Sequence, residues 1–181
     1  MTAPFFAAAA IGFVLTLAGL GGMGLVATQF LAPPAPLPRF IADTFEFTLA
    51  PAWACDLEET EYVCWKGKPP HEAIAVIAMK RRGPQDNLGA YEEHLRTPQP
   101  GQDGAPSTIR GVERRKLAGY EWVQAVHVSS EIRNYITIYL ATATSQVGVL
   151  ATFSIHRDHE EAGRREMDIM MSSLKIHQQG L

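Results

Sequence analysis

The sequence predicts an α+β domain, an antiparallel sheet flanked by helices, preceded by one N-terminal transmembrane helix. Three observations carry this. Residues 5–31 form an apolar run without a charged side chain. Between residues 44 and 155, apolar residues recur with a period of two in short stretches broken by Gly, Pro, Asn and Asp, the pattern of strands and turns. Two segments, after Asp86-Asn87 and after Asp158, switch to helical spacing.

From Thr2 to Pro38 no side chain is charged, and between Phe5 and Leu31 only Thr16, Thr28 and Gln29 are polar. A helix of about 20 residues crosses a bilayer's hydrocarbon core, so residues 1–31 are long enough for an anchor. A cleaved signal peptide is the alternative. It usually has an apolar core of about 7–15 residues and a basic start, whereas here only the α-amine is positive near the start. Gly19, Gly21, Gly22 and Gly24 crowd the middle of the run. Small residues let membrane helices approach closely, which reads as a packing face for another span; a signal-anchor rich in small residues is the plainer reading. Residues 32–43 read as a linker, because Ala32-Pro33-Pro34-Ala35-Pro36-Leu37-Pro38 favours extended polyproline II. Arg39 is the nearest flanking charge and alone would favour a cytoplasmic domain, but long domains translocate largely regardless of such charges.

Residues 44–177 then form the folded domain and 178–181 a tail. The net charge of −3 gives no basic footprint for nucleic acid. The two cysteines, Cys55 and Cys64, flank the acidic segment Asp56-Leu57-Glu58-Glu59-Thr60-Glu61. Strands at 52–56 and 61–66 around that turn would face the thiols across a hairpin, within disulfide reach. An even count in an exported context favours a structural disulfide and a periplasmic or other extracytoplasmic location; two free buried thiols are the alternative. Ala52-Trp53-Ala54 before Cys55 is not a lipobox.

Phe45, Phe47 and Leu49 alternate with polar residues and form the first strand. Ala73–Lys80 is apolar on both faces, as in a central strand. Asp86 or Asn87 can cap a helix with Leu88, Tyr91 and Leu95 on one face. Residues 108–116 are polar on both sides, with Arg110, Arg114, Arg115 and Lys116, as at a sheet edge. Three more strands follow at 121–129, 135–144 and 147–155, joined by short turns, which makes the sheet antiparallel. Asp158 with Glu161 matches a capping box for a last helix. Its stripe of Met167, Met170, Met171 and Leu174 reads as core packing on the sheet.

The order of elements, the opening Phe45-x-Phe47-x-Leu49-x-Pro51-x-Trp53 and the closing Met170-Met171-Ser172-Ser173-Leu174-Lys175-Ile176 resemble the PsbP-like superfamily, which includes the DcrB-like lipoproteins and the Mog proteins. The resemblance spans about Phe45 to Ile176. It implies an α/β/α sandwich used for accessory, assembly or binding roles without a shared catalytic centre. The cysteine pair and the transmembrane start are not hallmarks of that group.

Among chemical groupings, His156-Arg157-Asp158-His159-Glu160-Glu161 stands out. Imidazoles and carboxylates there could hold zinc, but His156 and His159 lack the i,i+4 helical spacing that faces two ligands one way. The cap explains Asp158 and Glu161 instead. His71, His94, His127 and His177 are scattered and read as surface or satisfied core residues. The sequence calls for no catalytic residue and no cofactor. Lys80-Arg81-Arg82 and Arg114-Arg115-Lys116 could meet anionic lipid; solvated edge charges are the plainer reading. The expectation is a non-catalytic membrane-anchored accessory or assembly subunit that binds a membrane protein complex through its span and exported domain. The alternative is an exported ligand-binding or metal-dependent enzyme domain centred on His156 and His159.

Overall fold

Each stretch of alternating apolar residues becomes a strand with its apolar side turned inward. The structure, a computed structural model, describes residues 35–101 and 104–177. The expected span at 1–31, with Gly19, Gly21, Gly22 and Gly24, lies outside the described residues, as does the tail. Among the described residues no helix is long and apolar enough to cross a membrane.

The elements follow in the order β1 (Arg39–Ile41), β2 (Phe45–Thr48), β3 (Trp53–Glu58), β4 (Glu61–Lys66), β5 (Ala73–Arg81), α1 (Leu88–Leu95), β6 (Thr108–Leu117), β7 (Tyr120–Val128), β8 (Tyr135–Ala143), β9 (Val147–His156), α2 (Glu160–Ser172) and β10 (Lys175–Ile176). Seven strands form one antiparallel sheet in the order β3-β4-β5-β9-β8-β7-β6. As expected, β5 is central and the basic β6 lies at an edge. Between β6 and β7, Ala118 and Gly119 both take positive φ (53° and 83°), as a two-residue hairpin turn of this hand requires. The smaller sheet has the order β1-β2-β10.

One face of the large sheet is covered over most of its area. Met167, Met170 and Met171 of α2, with Phe45 and Phe47 of β2, are buried in one core with Ile77, Ile138, Ala151, Phe153 and Ile155. The Met stripe therefore packs on the sheet. Ion pairs tie α2 to both sides of the sheet. Lys66 on β4 donates to Glu166 (2.6 Å), Arg115 on β6 to Asp168 (2.9 Å), and Arg110 on β6 to Glu160 (3.1 Å). The opposite face carries α1, whose Leu88, Tyr91 and Leu95 pack on Val123, Ala125, Tyr139 and Ala141 of β7 and β8.

Two expectations change. The stretch read as linker through residue 43 contains β1, which pairs with β2 through Phe40↔Phe47. Its cause is Phe40, whose ring lies 5.4 Å from that of Phe47 and 5.7 Å from that of Tyr62. The capping box at Asp158 and Glu161 does not form. A 3-10 turn, Arg157–His159, intervenes before α2, and His156 accepts from the Asp158 N–H at its start (Nδ1, 3.3 Å). No side chain caps α2 itself. Glu161 pairs with Arg165 one turn on. The other helix follows expectation, with Asn87 Oδ1 accepting from the Ala90 N–H at 3.0 Å.

Candidate functional site

Helix α1 has 8 residues and lies on β6, β7 and β8, so it covers only half of its face of the sheet. Strand register specifies what the other half presents. Ala54, Trp65, Ile74 and Ser154 lie side by side across β3, β4, β5 and β9. Asp56, Val63, Val76 and Thr152 form the next row, and Glu58, Glu61, Ala78 and Leu150 the third. Side chains alternate between faces along a strand, so all of these point away from α2. Ile74, Val76 and Ala78 are half-buried, and Leu150 is 42% exposed. This apolar strip continues beside α1 into a cavity of about 430 Å³ lined by Ala78, Tyr91, Leu95, Tyr139, Ala141 and Leu150. Glu131 lies where the strip and the cavity meet.

The polar groups around this surface are engaged in holding it. Asp86, almost fully buried, accepts from the Gly83 N–H through Oδ2 (2.6 Å), and through Oδ1 from Tyr91 Oη (3.0 Å) and Lys80 Nζ (2.9 Å). A Cβ on Gly148 would come within 2.7 Å of Tyr91 Oη, so the glycine lets α1 approach β9. Burial, then the bond to Asp86, pushes the Tyr91 phenol up to about 12, leaving it a neutral donor. Tyr139 Oη donates to Glu131 (2.6 Å), and burial followed by that bond raises its pKa further. Behind Tyr139, the fully buried His127 donates from Nε2 to the Leu95 carbonyl (3.0 Å). Its Nδ1 accepts from Ser107 Oγ (3.0 Å), which in turn accepts from the Gln99 N–H (2.9 Å). His127 thus pins the end of α1 and the following loop to the sheet.

The donors around Asp86, the Gly83 N–H first and Lys80 next, hold its carboxyl below the usual carboxylate range. The folded state therefore binds this proton less readily than the unfolded chain does. The resulting stability is complete above the unfolded value of about 4 and is lost as pH falls through the lower folded value. Melting temperature measured from about pH 5 to about pH 2 should therefore fall less steeply in Asp86→Asn than in the parent. Parallel curves would show that Asp86 contributes nothing to acid sensitivity.

The sequence-predicted groups fare differently. Cys55 and Cys64 pair directly across β3 and β4 and are disulfide-bonded, with Cα atoms 3.9 Å apart. His156 and His159 come together, ring centroids 6.2 Å apart. His156 Nδ1 serves the turn before α2, and His159 lies 4.0 Å from Glu72. Among the described residues, no group of three or more His, Cys, Asp or Glu is placed to hold a metal ion. The basic clusters are largely spent inside the domain. Lys80 pairs with Asp86, Arg82 donates to the Asp86 and Thr144 carbonyls, Arg114 pairs with Glu92, and Arg115 with Asp168. The open strip escaped the sequence reading. Its signals in the sequence were the second apolar side of β5 and Leu150, a large apolar residue on the side of β9 that otherwise carries Thr152, Ser154 and His156.

No family model and no curated protein matches the chain. Solved structures do. Cyanobacterial PsbP (CyanoP) from Synechocystis sp. PCC 6803 aligns with a TM-score of 0.56 at 13% identity, over 87% of this chain and 99% of that one. LpqN, involved in cell envelope biogenesis of Mycobacterium tuberculosis, aligns with 0.56 at 12% identity, over 79% and 86%. A protein from Bacteroides thetaiotaomicron VPI-5482 aligns with 0.57 at 11% identity over 81% of this chain, which spans 50% of that protein's length. With the sheet order, the two-helix arrangement and these alignments together, the described domain has the PsbP-like fold.

Proposed function

We propose that the chain is a non-catalytic, membrane-anchored accessory or assembly subunit that binds a membrane protein complex. The observation that carries this is the apolar strip of Ile74, Val76, Ala78 and Leu150, left open beside polar groups already committed to structural bonds. An exposed apolar patch of this kind suits contact with a partner. The shared fold of cyanobacterial PsbP and of LpqN supports an accessory role, and LpqN's part in envelope biogenesis supports a place in the cell envelope. The Cys55–Cys64 disulfide supports an extracytoplasmic domain.

In this reading residues 1–31 anchor the chain, and Gly19, Gly21, Gly22 and Gly24 dock it on other spans. The tether raises the effective concentration of partners near the membrane. Lipid contact through the basic clusters is no part of the reading, because Lys80, Arg114 and Arg115 are already paired.

Native electrophoresis with mass spectrometry of gently solubilised membranes tests it. The chain should migrate with a larger membrane complex, and Gly21→Leu with Gly22→Leu should lower recovery of that complex while leaving the folded domain's circular dichroism unchanged. Migration of the parent chain alone would count against an accessory role. Full recovery with the double variant would count against docking through the span.

A further inference from the structure

We propose that the open half of the sheet is a docking site for a basic amphipathic helix of a partner protein. The inference rests on the accessory reading and specifies the chemistry of its contact. Strands β4 and β9 are separated only by β5, so the strip between them is roughly 10 Å wide at the usual strand spacing. That is the diameter of one helix. α1 already occupies the other half of the face in the same manner. Val63, Ile74, Val76, Ala78 and Leu150 supply the apolar floor.

Charge complementarity selects the helix. Asp56, Glu58 and Glu61 share the face of the floor on its β3 side, and Glu131 stands on its α1 side. None of these four carboxylates forms an ion pair with a described residue, whereas Asp86, Glu92, Glu166 and Asp168 each hold a cation. Glu58 and Glu61 face each other directly across β3 and β4. Like charges so opposed repel, and a lysine or arginine between them relieves the repulsion. An apolar stripe flanked by cations therefore matches the floor and both rims, whereas an acidic helix or an anionic bilayer is repelled.

The test uses the full chain in zwitterionic lipid nanodiscs. It is titrated with a labelled Leu/Lys amphipathic peptide of about 18 residues, long enough to hold helix on binding, and with its Leu/Glu counterpart; empty nanodiscs serve as the control. Saturable binding of the Leu/Lys peptide above the control, weakened by salt, is expected, with none for Leu/Glu. Glu58→Lys with Glu61→Lys preserves the cross-strand repulsion and hence the fold. It should weaken Leu/Lys binding about tenfold and admit the Leu/Glu peptide. Leu150→Asp in the parent should weaken Leu/Lys binding, because it places a charge in the apolar floor. Equal binding of the two peptides, binding no greater than to empty nanodiscs, or indifference to the charge reversal overturns the proposal. The two readings fail separately. A charge-reversed chain that still migrates with the membrane complex overturns this docking and leaves the accessory role. A parent chain that migrates alone yet binds Leu/Lys does the reverse.

Discussion

Phe153→Ala should lower the unfolding free energy by about 3–5 kcal/mol, whereas Leu150→Ala on the same strand should cost about 1 kcal/mol or less. Both residues lie on β9, but an odd separation puts them on opposite faces. Phe153 is fully buried under α2, edge-on to Trp53 with ring centroids 6.3 Å apart. Truncation there removes apolar area and leaves a cavity that the surrounding side chains cannot fill. Leu150 already stands 42% exposed, so little burial is lost with it. Urea unfolding followed by far-UV circular dichroism would measure both. Equal losses would mean that another part of the chain covers the strip, and the docking surface would not exist.

His127→Ala should cost about 3 kcal/mol, from lost packing and from the partners left unpaired. The Leu95 carbonyl loses its donor and Ser107 loses the acceptor for its hydroxyl proton. Since these bonds fasten the end of α1 and the loop after it, amide exchange should rise first across residues 91–99. A uniform rise over the whole domain would instead show that His127 supports the core at large. The consequence for function is local, because α1 forms one wall of the cavity beside the open strip.

How far the sequence could be read depended on the range of the physics. Period-two alternation is local, so β2, β5, β7, β8 and β9 were legible within a residue or two of their ends. The disulfide was legible because Cys55 and Cys64 sit on the arms of one hairpin. Where the reading slipped, a distant group intervened. Asp158 and Glu161 satisfy the capping pattern, yet the chain leaves β9 with His156 beside Tyr135, ring centroids 5.2 Å apart, and enters a 3-10 turn first. Residues 39–41 lack a strong strand pattern and become β1 only because Phe40 finds Phe45, Phe47 and Tyr62.

The candidate site was less legible than the fold. Asp56, Glu58 and Glu61 read as an acidic turn, and nothing nearby in the chain says that they flank Ile74, Val76 and Leu150. That depends on which strands are neighbours, and the neighbour of β5 is β9, reached after α1 and three further strands. The sequence by itself determined most of the strands, the Asn87 cap of α1, the apolar character of residues 5–31 and the cysteine pairing, because each follows from residues within a turn or a hairpin of one another. Only the tertiary structure decided that α1 covers half a sheet face and leaves the other half open. Coverage depends on where a short helix lands across strands distant in sequence, and that is set by the buried bonds of Asp86 and His127.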